Sequence, residues 1–333
     1  ADPAESLSPG DESLSPGVPE PSKLIVSALS DPFHFPLESV TTISSGRILA
    51  LSSAARPLSQ GQFGQFPLYA FTTDGIWALE ISATGTYTAR QPITRDVCLS
   101  PRSITQIDSA VLFATRRGIM LLSGSQTQCI SDIITDHAGF DIRTLPECPG
   151  IPALPLVPFL DFISSCGMAY DYPRQRIIVF NKTYPYAYIY SLKSKQWGMT
   201  LSAIARTLNS YPEALATDTA GNLIDLSGDA GHPQTALLVT RPIKLGAPDV
   251  LKTIDTLIQR GQFRTGHIKT ILYGSRDLYS WHLLSSSVTH RLCRHRGTPY
   301  KYFRIALLCH LDKDETLCGA TVQYTPRLTN RIR

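Results

Sequence analysis

Two short stretches of the chain carry the same pattern 43 residues apart. "FPLYAFTTDGIWALE", from Phe66, aligns without a gap on "AVLFATRRGIMLLS", which places Thr72 on Thr115 and Gly75 on Gly118. Each copy reads as a strand, a tight turn and a second strand, because glycine adopts a positive φ at little cost in such a turn. A repeat of about 40 to 50 residues is typical of propeller blades or another stacked array.

Further hairpins of the same kind follow at 167–200 and 212–228, after the copies at 66–82 and 109–125. Only 17% of the residues are charged, and β-branched and aromatic residues are frequent, which favours an all-β protein. We therefore expect a β-propeller-like array of hairpin blades over 23–234. A proline-rich segment, 136–158, interrupts the period and is predicted to be an inserted loop.

The two ends of the chain differ from the repeats in composition and in strand pattern. Residues 1–22 are polar and repeat "ESLSPG", which indicates a flexible linker or arm, or the cut edge of a longer protein. Residues 235–333 read as six short strands, so we expect a basic all-β C-terminal region that forms a sandwich-like domain or completes the blades. Seven cysteines without a CxxC motif indicate free thiols, and no stretch is long and apolar enough for a membrane span.

Charge is unevenly distributed along the chain. Residues 238–333 contain sixteen basic and six acidic side chains, against fifteen and twenty-one in the remainder. A basic third beside an acidic body suggests an acidic partner surface or nucleic acid. Two solvated faces of different bias explain the same numbers.

Motifs for catalysis are absent from the sequence. It contains no GxSxG, no GxxxxGK[ST] and no GxGxxG. "HRLCRH" offers His290, Cys293 and His295, but a zinc site needs a fourth ligand and usually a second short pair. The paired-carboxylate candidates lie in hairpin turns, where Asp is favoured for local hydrogen bonds: Asp74, Asp171 and Asp218. We predict no catalytic residue, no cofactor and no metal, and expect that the protein is not an enzyme.

Two stretches combine aromatic residues with features of a binding surface. "YPYAYIY", from Tyr184, places tyrosines on one strand face, either for packing between blades or as a stacking platform. "RLCRHRGTPYKYFR" is the densest basic stretch and suits nucleic-acid or partner contact, or a sheet edge kept soluble by charge. Its candidate contact residues are Arg291, Arg294, Arg296, Lys301 and Arg304.

Several stretches together resemble tail nozzle and tail accessory proteins of short-tailed double-stranded DNA phages, which are related to phage stabilisation proteins and have prophage homologues in gut Bacteroides. They are "SALSDPFHFP", "SQGQFGQFPLYAFTTDGIWALE", "SITQIDSAVLFATRRGIMLLSGS", "AYDYPRQRIIVFN" and "SLKSKQWG". The resemblance covers roughly 24–228 well and the C-terminal third loosely. The "FTTDGIW" and "LFATRRGI" copies resemble the hairpin sequence pattern F-T-x-x-G-[IV]-W of the blades in this family.

The resemblance implies a structural virion protein, made in the bacterial host cytoplasm, that forms an oligomeric ring on the tail adaptor. It further implies that the ring retains packaged double-stranded DNA until ejection, and it places no catalytic residue in the chain. The basic third would then face the adaptor, so charge reversal of Arg294 and Arg296 should weaken docking.

A second hypothesis is a carbohydrate-binding or surface-adhesion β-module. "YGSRDLYSWHLLSSS" followed by "YFRIAL" is similar to discoidin-like sandwich domains that bind glycans. In that case the candidate contacts with a host-surface glycan are Arg276, Tyr279 and Trp281. A propeller glycosidase or lyase and a plain interaction scaffold are further alternatives. The sequence fixes neither the number of blades nor the size of a ring.

Overall fold

The structure is a computed structural model in which strands dominate. It describes residues 21–28, 30–36, 39–54, 66–81, 87–135, 145–148, 155–210, 213–228, 235–247, 249–293 and 297–327. These residues fall into two compact units: the first holds those up to 135 together with 155–228, and the second holds 145–148 together with those from 235 onward. Among them, no helix has the length and apolar character needed to cross a membrane. The predicted all-β fold class is confirmed.

The first unit is a succession of small antiparallel sheets. A two-stranded sheet comes first, with β1 (Lys23–Ile25) and β2 (Val40–Thr42). Blade 1 and blade 2 follow as four-stranded sheets whose strands pair in chain order. Their strands are β3 (Ile48–Ser53), β4 (Leu68–Thr72), β5 (Gly75–Ile81) and β6 (Tyr87–Thr94) in blade 1, then β7 (Thr105–Ile107), β8 (Ala110–Thr115), β9 (Gly118–Ser123) and β10 (Gln126–Cys129) in blade 2.

Among the described residues of the first unit there are also a 3-10 helix (Pro101–Ser103), two short α-helices and two further blades. The described part of blade 3 has four strands and that of blade 4 has three. The elements are α1 (Asp132–Thr135) and α2 (Phe159–Ile163), then β11 (Gly167–Asp171), β12 (Arg176–Phe180), β13 (Tyr186–Ser191) and β14 (Trp197–Leu201) in blade 3, and β15 (Ile204–Ser210), β16 (Glu213–Asp218) and β17 (Leu223–Asp225) in blade 4. The first strand of each blade contacts the first strand of the next, as in a propeller.

The sequence repeat has a structural cause in the β4–β5 and β8–β9 turns. Thr72 donates a hydrogen bond from Oγ1 to the carbonyl of Gly75 at 2.8 Å, and Thr115 donates the same bond to Gly118 at 3.0 Å. Both glycines have positive φ, +139° and +130°. A Cβ on Gly118 would lie 2.3 Å from Oγ of Ser131, so this position excludes a side chain for reasons of space as well.

Strand alternation places large side chains between blade 1 and blade 2. Tyr69 and Phe71 of β4 share one buried cluster with Val111 and Phe113 of β8. The rings of Phe71 and Phe113 meet edge to face, with centroids 5.3 Å apart and planes at 68°. This contact lets each blade bury a face that it could not bury alone.

The tyrosine run of β13 packs inside the first unit. The ring of Phe162 in α2 stacks on Tyr184 and Tyr186 at 5.7 and 5.0 Å, and meets Tyr188 edge-on at 5.0 Å. Tyr190 lies 4.9 Å from Trp197, whose indole N–H donates to the carbonyl of Ile130 at 2.9 Å. Packing thus accounts for these aromatic residues, and a stacking platform for a ligand is not formed here.

The second unit is a β-sandwich. Its strands are β18 (Ala236–Val239), β19 (Leu251–Gln262), β20 (Ile268–Ser275), β21 (His282–Ser287), β22 (Arg291–Cys293), β23 (Tyr302–Cys309) and β24 (Thr316–Arg327). One sheet has the order β18-β23-β20-β21 and the other β22-β19-β24. Both sheets contribute to one core, with Ile254 and Leu257 from β19 against Leu272 from β20 and Ile305 from β23.

The described part of the proline-rich segment, 145–148, belongs to this sandwich. Leu145 and Cys148 pack with Tyr273 and Trp281 in a second cluster, which also includes Ala306 of β23. These side chains lie on the face of the β18-β23-β20-β21 sheet that does not meet the other sheet. Leu145 and Cys148, from the segment predicted as an inserted loop, therefore cover the outer face of a sheet that begins about ninety residues later.

Candidate functional site

The carboxylates in the hairpin turns serve those turns. Asp74 accepts hydrogen bonds from Thr72 and from the indole N–H of Trp77, and these bonds, that of Thr72 first, lower its pKa to about 2. Asp218 accepts from the side chain and backbone of Asn222, each at 2.8 Å, which lowers its pKa. Each carboxylate is used locally, as Asp in a turn usually is.

Asp171 joins blade 3 to the end of blade 4. Its buried carboxylate accepts from Nε of Arg176 at 2.6 Å and from Oγ of Ser227 at 2.9 Å. Arg176 also donates to the carbonyl of Leu226 at 3.0 Å, and Arg174 donates to the carbonyl of Ser227. A buried charge paired in this way stabilises packing, and removing one partner is costly.

Of the five predicted basic contact residues, the structure places some at the surface and buries one. Arg291 in β22 is exposed, and Lys301 is half-buried before β23. Arg304 is only 8% exposed: Nη1 donates to the carbonyl of Thr240 at 2.9 Å, and its guanidinium lies 4.9 Å from the Trp281 ring. Burial lowers the pKa of Arg304 to about 10. Arg304 therefore leaves the set of candidate contacts, because its charge faces the interior.

Arg294 and Arg296 lie outside the described residues, so their predicted role in docking stays a prediction. His295, one of the weighed zinc ligands, also lies outside them. His290 is described, and its ring stacks on Phe263 with centroids 4.1 Å apart.

Of the three predicted glycan contacts, one is buried and two are exposed. Trp281 is only 6% exposed and its indole N–H donates to the carbonyl of Leu278 at 3.1 Å. It therefore belongs to the core under Leu145 and cannot offer its ring face to a sugar. Tyr279 is 88% exposed and Arg276 is exposed, both in the loop between β20 and β21.

That loop is held in one conformation by Asp277. Its Oδ1 accepts from the backbone N–H groups of Tyr279 at 2.9 Å and Ser280 at 2.8 Å, and from Oγ of Ser275 at 3.0 Å. These bonds, that of the Ser280 N–H first, lower the pKa of Asp277 to about 2, so the anchor remains charged over a wide pH range. Leu278 has a φ of +70°, which completes the tight turn. Tyr279 is thus presented from a fixed turn.

An aromatic and basic surface surrounds the base of the loop. The guanidinium carbon of Arg276 lies 5.9 Å from the Tyr300 ring centroid, and the centroid of the His282 ring lies 5.7 Å from it. Nε of Arg276 donates to the carbonyl of Pro299 at 3.4 Å, and the backbone N–H of Lys301 donates to Ser275 at 3.1 Å. We call the exposed and half-buried members of this group the loop surface: Arg276, Tyr279, His282 and Lys301. Tyr300 itself is buried and belongs to the core of the sandwich.

Gly274 makes room for the Tyr300 ring. A Cβ on Gly274 would lie 2.7 Å from that ring and 2.9 Å from Leu284. Since Gly274 pairs with His282 on one side and Phe303 on the other, its missing side chain lets Tyr300 lie across the sheet. The sequence places Tyr300 in the basic stretch and Arg276 in the glycan candidate, but only the paired strands bring them together.

A buried lysine lies behind the loop surface. The backbone of Lys252 exchanges hydrogen bonds with that of Tyr300 at 2.8 and 2.9 Å, and its Nζ donates to the carbonyl of Ala247 at 2.6 Å. Burial lowers the pKa of Lys252, the charge of Asp249 opposes that effect, and the nearby charge of Lys301 adds to it. The site therefore contains a buried positive charge, on Lys252, close to the half-buried positive charge of Lys301.

A separate group at 264–267 and 312–315 could hold a metal ion by its donor types. Ligand atoms of His267, Asp312 and Glu315 lie within 4.8 Å of one another. However, Glu315 already accepts from Nδ1 of His267 at 2.6 Å, from the N–H of Arg264 at 2.8 Å and from the N–H of Asp312 at 3.0 Å. The Arg264 guanidinium also pairs with Asp312 at 3.1 Å. These contacts make the group a link between two loops.

Comparisons with known proteins give little guidance. No family model matches the chain, and no curated protein matches it. A solved structure titled "Glycoside hydrolase" is similar over 84% of this chain and 84% of its own, with 9% identity and a TM-score of 0.27. A TM-score of this size carries no argument about fold or activity.

Proposed function

We propose that this chain is a structural protein of a phage tail nozzle, which assembles as a ring on the tail adaptor and retains or channels the genome. The observation that carries the proposal is the propeller-like array of blades in which the last strand of blade 3, β14, is an exposed and uncharged sheet edge. The resemblance of the blade hairpins to those of nozzle proteins supports the same assignment. The carboxylates weighed for catalysis are engaged in turns and packing, which supports a role without catalysis.

The edge of blade 3 has the chemistry of an assembly contact. β14 pairs only with β13 in the described part of the chain, and Trp197–Leu201 contains no charged residue. Met199 and Leu201 are 48% and 65% exposed. Proteins usually protect such edges with charged side chains, because an open edge pairs with another chain. Ring subunits need heterologous contacts of this kind.

Charge suggests how the ring would be oriented. The basic residues from 238 onward suit an acidic adaptor surface, and the acidic remainder suits a channel wall along which DNA slides without tight phosphate contacts. Of the predicted contacts, the structure leaves Arg291 and Lys301 at the surface of the second unit.

Mass spectrometry of purified virus particles from the source culture tests the assignment. We expect this chain at a fixed small-integer ratio to the portal protein. Absence from particles, with recovery from the cell surface or medium, would contradict the nozzle role.

The edge itself is tested by mass photometry of the full chain. Leu201→Lys should shift assemblies towards single chains. The matched control, Val288→Lys, changes a residue that is 49% exposed in the second unit and should leave assembly unchanged. Equal assembly of both variants would remove β14 from the interface.

A second candidate function is a carbohydrate-binding or surface-adhesion module, and one observation favours it. Tyr279 is exposed on a turn that Asp277 holds, beside the exposed Arg276. Rigid aromatic residues of this kind bind ligands at low entropic cost. Screening the chain against a set of neutral and acidic oligosaccharides, with Tyr279→Ala as the comparison, tests this candidate. Both functions are compatible with a nozzle that touches the cell envelope.

A further inference from the structure

We propose that the loop surface binds an acidic sugar, a hexuronate residue of a polysaccharide, with its carboxylate on Arg276 and Lys301 and its ring on Tyr279. The inference rests on the second candidate function and names its ligand class. It is carried by two cationic residues and one exposed aromatic residue that the fold brings to the same loop. The backbone of Lys301 bonds to Ser275, next to Arg276, and Tyr279 follows Arg276 in the turn that Asp277 holds.

Tyr279 provides the contact for the sugar ring. Its side chain extends from a turn in which Asp277 binds the N–H groups of Tyr279 and Ser280. The apolar face of a pyranose packs on such a ring, while its hydroxyl groups remain in water. This contact does not depend on ligand charge, so Tyr279 alone would bind neutral and acidic sugars alike.

Arg276 provides the preference for a carboxylate. Among the described residues, Arg276 donates a hydrogen bond from Nε to the carbonyl of Pro299, and its guanidinium lies near the ring of Tyr300. The two Nη groups therefore remain for a ligand. A guanidinium binds a carboxylate through two parallel hydrogen bonds, and the contacts to Pro299 and Tyr300 limit the rotamer freedom that binding would remove.

Lys301 strengthens the same preference. Its backbone N–H donates to the carbonyl of Ser275, next to Arg276, at 3.1 Å. Asp277 offsets part of this charge, and its Oδ1 is engaged by the N–H groups of its own turn. The surface thus combines a planar cation, a point charge and one aromatic ring.

The same features argue against nucleic acid as the ligand. Single-stranded nucleic acid requires a series of stacking rings along a basic groove. Here Trp281 and Arg304, which could have extended the surface, are buried. The loop surface offers one exposed tyrosine ring, Tyr279, while the His282 ring lies against Tyr300, and this matches one sugar residue better than a series of bases.

Isothermal titration calorimetry with tetragalacturonate and its fully methyl-esterified form tests the proposal, since esterification removes the carboxylate charge and keeps the pyranose rings. The intact chain should bind the acid roughly tenfold or more tightly than the ester. Arg276→Ala should abolish that preference, whereas Tyr279→Ala should weaken both ligands. Arg260→Ala, which removes an exposed cation in β19 outside the loop surface, is the matched control and should leave the preference intact.

The outcomes separate the two claims. Equal affinity for acid and ester would overturn the acidic-sugar inference and leave carbohydrate binding standing. Absence of binding to these ligands and to every other saccharide screened would overturn both. If dextran sulfate or single-stranded DNA bound as tightly as tetragalacturonate and Tyr279→Ala had no effect, the surface would be only a charged patch and the inference would fail.

Discussion

Removing the Phe113 ring tests whether adjacent blades share one core. Phe113 is fully buried and meets Phe71 of the neighbouring blade at 5.3 Å. Phe113→Ala removes the transfer free energy of a benzyl group and leaves a cavity, which together cost roughly 3 to 5 kcal/mol. Of this, about 0.5 to 1.5 kcal/mol belongs to the edge-to-face pair. The double variant with Phe71→Ala should therefore be less destabilised than the sum of the single variants.

Hydrogen exchange with mass spectrometry is the suitable assay, because the chain has two compact units and a single unfolding transition is not assured. Peptides from both β4–β5 and β8–β9 should lose protection in Phe113→Ala, whereas peptides from β20 and β23 serve as an internal reference. Phe33→Ala, which removes a highly exposed ring, is the control. Loss of protection confined to β8–β9, or additive effects of the two substitutions, would refute a shared core.

Three further predictions concern single sites. Gly118→Ala should destabilise the first unit by about 1 to 3 kcal/mol in denaturant unfolding because φ is +130°, and exposed Gly198→Ala should not. The N–H of Asp312, first among several donors, holds the pKa of Glu315 at about 2, below its usual 4.5. The stability that this bond contributes is full above that usual value and is lost as pH falls towards 2, so Glu315→Gln should flatten the acid limb of melting curves. Exposed Cys318 should react with a thiol reagent in the native state, while Cys166, whose pKa burial raises, should react only on unfolding.

The blades could be predicted because their signal is local. Thr72 and Gly75 make one turn among four consecutive residues, and Thr115 and Gly118 make the same turn again. The hydrogen bond and the positive φ depend on the residue types and their spacing, both of which are visible in the sequence. For the tyrosine run, the sequence allows two interpretations, packing or a stacking platform. The alternation of side chains along a strand shows which of them share a face but not what covers that face.

The segment around Leu145 could not be placed from the sequence. Its partners, Tyr273 and Trp281, are more than a hundred residues away, and no pattern records that separation. The same contact misled the sequence interpretation of Trp281. A tryptophan beside an exposed tyrosine suggests a binding pair, yet the two have opposite environments. Tyr279 is exposed in the turn that Asp277 holds, whereas Trp281 packs into a buried cluster and donates its indole N–H to Leu278.

The structure also shows that part of the positive charge counted in the sequence of the second unit is buried. Its excess of basic residues includes Lys252 and Arg304, which are buried, with their donors on the carbonyls of Ala247 and Thr240. These two cations fix loops and do not project a field to the surface as exposed ones would. Any contact with an acidic partner must therefore depend on the exposed remainder, of which Arg276 and Lys301 lie together. The nozzle and carbohydrate hypotheses thus meet at one surface, and Arg276→Ala distinguishes them: loss of assembly on the adaptor would assign it to the ring, and loss of hexuronate preference alone would assign it to a glycan.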